Sequence, residues 1–113
     1  MTASCIFCKI VDKQIPAKIV HEDEDVMAFH DVNPEAAVHI LVVPKMHVQN
    51  VVQLAQNEQL LSKVVQIAGQ IAKERSGGEF KLLFNTGKSA GQSVFHAHGH
   101  VLSNKTSGET DVV

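Results

Sequence analysis

Gly91-Gln92-Ser93-Val94-Phe95-His96-Ala97-His98-Gly99-His100-Val101-Leu102 carries three of the chain's seven histidines at alternate positions. Val94–Leu102 reads as a strand, and in a strand the side chains at i, i+2 and i+4 share one face. His96, His98 and His100 therefore stand in a row, with alternate neighbours about 7 Å apart. Ala97 and Gly99 fall on the opposite face, where their small size leaves room for a helix to approach closely. Such a row could be a solvent-facing polar strand or a metal site of three imidazoles. It also suits acid–base and nucleophilic work on a phosphate, because imidazole titrates near neutral pH. The residues just upstream favour the phosphate. Asn85 and Gly91-Gln92-Ser93 offer amide, hydroxyl and backbone N–H donors, which suit phosphate oxygens without a net positive charge.

Working outward, Asn57–Arg75 places Leu60, Leu61, Val64, Ile67, Ala68 and Ile71 at spacings of three and four, a long amphipathic helix that Ser76-Gly77-Gly78 stops. Cys5–Val11 has helix-like spacing with Ser4 as N-cap, and Ile15-Pro16 ends it. Lys18–His21 and Val26–His30 read as strands joined by the acidic turn Glu22-Asp23-Glu24-Asp25, a solvated hairpin turn. Asp31-Val32-Asn33-Pro34 is loop chemistry. Val38–Val43 is an apolar run interrupted by His39, as in a central strand covered on both faces, and Phe80–Phe84 adds a further strand. The sum is a single α+β domain over residues 1–113: an antiparallel sheet of about five strands, one long helix and one short one, with residues 1–4 and 103–113 as flexible ends. His21 and His30 are expected at the surface and His39 within its strand, none with a role.

Composition narrows the function. With 44% hydrophobic and 19% charged residues, 113 residues can bury one real core. Ten basic residues against twelve acidic ones give −2, without the basic surplus that nucleic-acid polymers or anionic membranes require. No signal peptide or membrane span is evident, so a reducing cytoplasm is expected. There, Cys5-Ile6-Phe7-Cys8 is open to three readings: a redox pair, half of a zinc site, or two ordinary thiols on a short helix.

The stretch from Gly91 to Leu102 resembles the histidine triad (HIT) signature, in particular its Hint branch. Phe7, Lys9-Ile10, Ile15-Pro16-Ala17, Phe29-His30-Asp31-Val32-Asn33-Pro34, His39 to Lys45, His47 and Asn85 recur in the family's order, so the resemblance covers almost the whole chain. It implies a HIT-like fold, a homodimer made by joining two sheets, and hydrolysis or transfer at the α-phosphorus of nucleoside 5′-phosphate derivatives. Purine nucleoside phosphoramidates are the typical Hint substrates. By resemblance His98 is the nucleophile, forming a nucleotidyl-imidazole intermediate. His96, His100 and His47 surround the phosphate, and Ser93 donates to it or to the leaving atom. Asn85, Gly91 and the Gln92 backbone hold the remaining oxygens. Asp31 accepts from the ribose hydroxyls, and Ile6, Phe7, Ile10, Phe29 and Val32 wall a slot for the base. Ile10, Phe29 and above all Ile6 can also be read as ordinary core.

Some bacterial-type members bind zinc through the same N-terminal pair and two histidines, which here would be Cys5, Cys8, His47 and His96. That site would be structural, and no organic cofactor is implied. The ligands expected are a purine nucleotide such as AMP or its phosphoramidate, with no nucleic-acid polymer and no membrane. Two other readings remain: a dinucleoside polyphosphate hydrolase of the Fhit type, and a nucleotide-binding regulatory module without useful turnover. The C-x-x-C alone would also fit a zinc-dependent interaction protein. The sequence departs from the family at Gly99, where a hydrophobic residue is usual, at the small Ala97, and at Ser103-Asn104-Lys105, where Gly-Gly-Arg is common.

Overall fold

Residues 4–105 are described by the computed structural model. Helix α1 (Ile6–Val11) precedes a hairpin of β1 (Ile19–Glu22) and β2 (Val26–His30), followed by β3 (Val38–Pro44). A short helix α2 (Val51–Leu54) leads into the long α3 (Glu58–Ser76), then β4 (Lys81–Leu83), a single 3₁₀ turn (Lys88–Ala90) and β5 (Gly99–Ser103). The strands form one antiparallel sheet in the order β1-β2-β3-β5-β4. Among the described residues no helix is long and apolar enough to cross a membrane.

Alternation along the strands sorts the core into two layers. Val26, Ala28, Val38, Ile40, Val42 and Val101 face α3, which buries Leu60, Val64, Ile67, Ala68 and Ile71 against them. Asn57 caps α3 by accepting from the Leu60 N–H, and Gly77 at φ 65° closes it in the left-handed region. The other face, with Met27, Phe29, Leu41 and Val43, is covered by Cys5, Phe7, Cys8 and Ile10 of the α1 segment. The N-cap of α1 is Cys5 rather than the expected Ser4: its thiol accepts from the Cys8 N–H at 3.3 Å.

Two expectations are corrected. The histidine stretch is strand only from Gly99 onward: residues 94–96 bend, 97 and 98 are irregular, and the His96 ring turns into the molecule. The helix α2, capped by Asn50, is additional to the long and short helices expected. Of the ends expected to be flexible, Ser103 is the last residue of β5 and Ser4 lies in a turn. Residues 1–3 and 106–113 of the expected flexible ends lie outside the described residues.

Ala97 packs in the α3 layer as expected, but Gly99 does not make room for the helix. A Cβ there would lie 2.9 Å from Phe84 Cζ and 3.0 Å from Leu82 Cδ1, so those two side chains occupy the space that a larger residue would need. Gly99→Leu is expected to destabilise the fold by about 1–3 kcal/mol, and Phe84→Ala in the same chain to restore part of the loss. Urea unfolding of the two single variants and the double variant measures this.

The acidic turn is more than solvated. Lys63 on α3 pairs with Asp23 at 3.0 Å and Asp25 at 2.9 Å, while Glu22 is held between Lys13 and Lys45, both at 2.8 Å. Partial burial alone would raise the Asp23 pKa. Hydrogen bonds from His21, the Asp25 and Val26 N–H groups and Lys63 outweigh it and hold the carboxyl well below the usual range. A depressed folded pKa contributes stability above the unfolded value of about 3.9, and this is lost as pH falls through the folded value. Asp23→Asn should therefore lower stability at pH 7 and flatten its decline below about pH 4, as followed by thermal unfolding across pH.

Candidate active site

On the α1 face of the sheet lies a cleft of about 900 Å³. Its lining includes Ile6, Phe7, Ile10, Phe29, Asp31, Val32, Ser93, His98 and His100, so nine of the residues singled out by sequence meet in one place. Phe7, Ile10 and Phe29 are both buried and on the wall, whereas Ile6 is 44% exposed and Val32 89% exposed, at the open side. The reading of Ile6 as core therefore does not hold.

His98 is buried at the floor. Its Nδ1 lies 2.8 Å from the His96 carbonyl oxygen. A carbonyl only accepts, so Nδ1 carries the proton and Nε2 of the neutral ring keeps its lone pair. Phe7 meets the ring edge-on at a centroid distance of 4.9 Å. Burial pushes the His98 pKa below 6.5, against the opposing pull of the His96 carbonyl and the Asp31 carboxylate.

His39, which the sequence marks only as a buried strand residue, organises two cleft residues. The Glu35 N–H donates to His39 Nδ1 at 3.0 Å, which places the proton of the neutral ring on Nε2. That Nε2 lies 2.9 Å from His100 Nδ1 and 3.2 Å from Asp31 Oδ2. His39 thus donates into both, and His100 is left with its own proton on Nε2. Burial, followed by the neighbouring His98 and His39, lowers the His100 pKa and keeps that ring neutral. Asp31, His39 and His100 are close enough together to hold a cation. With Nδ1 already accepting from Glu35, however, His39 would have to give up its only ring proton to ligate through Nε2, so the trio is a hydrogen-bond chain. A signal was present in the sequence: a lone imidazole inside Val38–Val43 is a buried polar group that must find a partner.

The loop before the histidines is held by its own polar groups. Gln92 is buried, accepting from the Gly87 N–H through Oε1 and donating through Nε2 to the carbonyls of Gln49 and Val94. Asn85 Nδ2 donates to the Ala90 carbonyl at 2.9 Å. The Gly91 and Gln92 N–H groups donate to Lys88 and Gly87 carbonyls. These two N–H groups, expected to be free for phosphate, are therefore engaged within the loop. Asn85, Gly91 and Gln92 shape the loop that delivers Ser93, which is exposed on the cleft.

His96 and His47 stand elsewhere than around the cleft. His96 is fully buried, with Nε2 2.7 Å from the Pro44 carbonyl and Nδ1 turned toward the cysteines. His96 Nδ1 lies 3.4 Å from Cys5 Sγ, 3.6 Å from Cys8 Sγ and 3.2 Å from His47 Nδ1, and His47 Nδ1 lies 3.3 Å from Cys8 Sγ. A tetrahedral ion with bonds of about 2.3 Å to sulfur and about 2.0 Å to nitrogen spaces its ligands about 3.5 Å (S–N) and about 3.3 Å (N–N) apart. The measured distances match these edges. The Pro44 carbonyl fixes the His96 tautomer that leaves Nδ1 available, as second-shell acceptors do at metal sites. Burial pushes the His96 pKa down to about 4, which keeps that nitrogen unprotonated at neutral pH. The four side chains therefore fit a metal ion.

Residues 4–112 match the family model described as scavenger mRNA decapping enzyme, C-terminal binding. The Protein HitA of Neisseria gonorrhoeae is 45% identical over 101 residues, covering 88% of this chain and 94% of that protein. The purine nucleoside phosphoramidase of Escherichia coli K12 is 36% identical over 111 residues, covering 96% and 93%. A HIT family hydrolase from Clostridium thermocellum, a solved structure, superposes with a TM-score of 0.87 at 35% identity over the whole of both chains. The chain belongs to the histidine triad family. A second solved histidine triad protein, from Clostridium difficile, is 35% identical with a TM-score of 0.84, covering 100% of this chain and 98% of that one. Within this family fold the departure at Gly99 has a local explanation, since Phe84 and Leu82 fill the volume that a side chain would take.

Proposed function

We propose that this histidine triad protein is a nucleotide hydrolase acting at the α-phosphorus of purine nucleoside 5′-phosphoramidates or related nucleotidyl conjugates, with His98 as nucleophile. The observation that carries the reading is the 2.8 Å bond from His98 Nδ1 to the His96 carbonyl, which leaves an Nε2 lone pair in a cleft with apolar walls and a carboxylate. The phosphoramidase relative adds weight at 36% identity. The base lies among Ile6, Phe7, Ile10, Phe29 and Val32, and Asp31 accepts from the ribose hydroxyls.

In the first step His98 Nε2 forms a bond to phosphorus as the bond to the leaving nitrogen breaks. Ser93 donates a proton to that nitrogen and is resupplied by solvent. The His100 Nε2–H donates to a phosphoryl oxygen. Because Nδ1 keeps its proton, the intermediate is a nucleotidyl-imidazolium, whose charge the Asp31 carboxylate favours. Water then attacks phosphorus and gives up a proton to solvent as the P–Nε2 bond breaks, and AMP leaves with the His98 lone pair restored. Asn85, Gly91 and Gln92 hold the loop that aims Ser93. Cys5, Cys8, His47 and His96 would hold a zinc ion, which with four protein ligands has no open position and serves structure. His47 and His96 therefore act on the fold and not on the phosphate.

The protein is proposed to work as a homodimer in the cytoplasm. Half-exposed Leu83 on the outermost strand β4 and Val65 on α3 support a sheet-to-sheet contact, and the paired thiols suit a reducing compartment. Release of AMP from adenosine 5′-phosphoramidate tests the activity. The neutral His98 ring should make kcat/KM flat above about pH 6.5, with loss on the acid side as one proton is taken up below that value. Absence of AMP release at any pH sinks the hydrolase reading and leaves a nucleotide-binding module.

A further inference from the structure

The two clusters described above are not independent. His96 belongs to one through its ring and to the other through its backbone: Nδ1 faces Cys5, Cys8 and His47, while its carbonyl receives the His98 Nδ1 proton at 2.8 Å. Phe7 lies between the two cysteines in sequence, and its ring meets His96 at 6.0 Å and His98 at 4.9 Å. The same six-residue helix α1 brings Ile6, Phe7 and Ile10 to the cleft wall, and it is capped by the Cys5 thiol. A third connection runs from Val48, next to His47, whose carbonyl accepts from the Ala97 N–H at 2.8 Å between His96 and His98.

We infer that metal occupancy of Cys5, Cys8, His47 and His96 is coupled to nucleotide occupancy of the cleft, with His96 and Phe7 as the positioning residues that carry the coupling. The inference rests on the nucleotide-binding reading given above. A helix of six residues is too short to persist without tertiary support, so α1 depends both on its packing against Met27, Phe29, Leu41 and Val43 and on what its cysteines hold. With the four ligand atoms fixed, the His96 ring and main chain keep one orientation, the acceptor for His98 Nδ1 stays in place, and Phe7, Ile6 and Ile10 remain a preformed wall. With them released, a nucleotide must order α1 as it binds, and its apparent affinity falls accordingly. By linkage, AMP must then tighten the metal by the same factor that the metal tightens AMP.

The test uses full-length protein stripped with a chelator and reloaded with Co²⁺, whose thiolate absorption bands report binding to cysteine. AMP affinity is measured by calorimetry on stripped and loaded protein, and Co²⁺ affinity by competition with and without saturating AMP. The expected result is an AMP affinity about 10-fold higher in the loaded protein, an equal factor on Co²⁺ affinity, and a shift of the cobalt bands when AMP binds. Phe7→Leu, which keeps all four ligands, should shrink the coupling factor, read as the ratio of Co²⁺ affinities with and without AMP on the same variant. This arm distinguishes coupling from general unfolding of the stripped protein. Equal AMP affinities with no change in Co²⁺ affinity overturn the coupling while the nucleotide reading stands. Failure of both forms to bind AMP overturns that reading together with the coupling, and absence of thiolate bands removes the metal on which the coupling depends.

Discussion

His98→Ala is expected to lower turnover of adenosine 5′-phosphoramidate by at least about 10⁴-fold while AMP still binds. Among the described residues, removing the ring removes the one cleft nitrogen whose lone pair is held ready by a backbone acceptor, and no neighbour can replace it. His100 is 5.0 Å away between ring centroids, but its Nδ1 accepts from His39, so its Nε2 carries a proton and cannot attack. His96 has both nitrogens directed away from the cleft. The base slot and Asp31 remain, so binding should change far less than kcat. Steady-state kinetics beside calorimetry with AMP separates the two quantities. A residual rate within about 10-fold of wild type would assign the attack to water and not to His98.

His39→Phe is expected to have the second largest effect, lowering kcat by about 10²-fold and raising KM as well. Phenylalanine matches the ring in volume, so the central strand should still pack. The losses are two donated bonds, one to His100 Nδ1 and one to Asp31 Oδ2. Without the first, His100 is free to place its proton on Nδ1, and Nε2 then meets the phosphoryl oxygen as a lone pair. Without the second, the carboxylate keeps its bond from the Asn33 N–H at 2.8 Å but loses the group that aims it at the ribose. A merely structural role would move stability and leave the ratio of kcat to KM untouched. His39→Gln, which retains a side-chain N–H, should recover part of the KM change. Equal kinetics in wild type and His39→Phe would show that the His100 tautomer does not matter.

Much of this was legible in the sequence, and the exceptions share a cause. The spacing of Leu60, Val64, Ile67 and Ile71 placed α3 within one residue at each end, because one face of a long helix must meet the sheet regardless of detail. The cleft was also legible, since nine of its residues carry motif or pattern signals. The errors lie where one side chain serves a distant group. Alternation predicts a strand through Val94–His98, but His96 reaches across to Pro44, Cys5 and His47, and the backbone bends to let it. The free N–H groups expected at Gly91 and Gln92 are taken by turns within the loop, which no composition rule reveals. Gly99 reads as space for a helix until Phe84 is seen to fill it. His39 finds its side-chain acceptors on two different neighbours: Asp31 is set beside it at the end of the β2–β3 pairing, where the Asp31 N–H bonds the His39 carbonyl, and His100 by the pairing of β3 with β5.

The central claim is that His98 forms a covalent bond to phosphorus. Intact-protein mass spectrometry during rapid-quench turnover of adenosine 5′-phosphoramidate, on wild type and His98→Ala in parallel, tests it most directly. The expected result is a transient adduct of one AMP on wild type that is absent from the variant. Wild type that releases AMP at full rate with no adduct at any quench time, or an adduct that persists in His98→Ala, would contradict it.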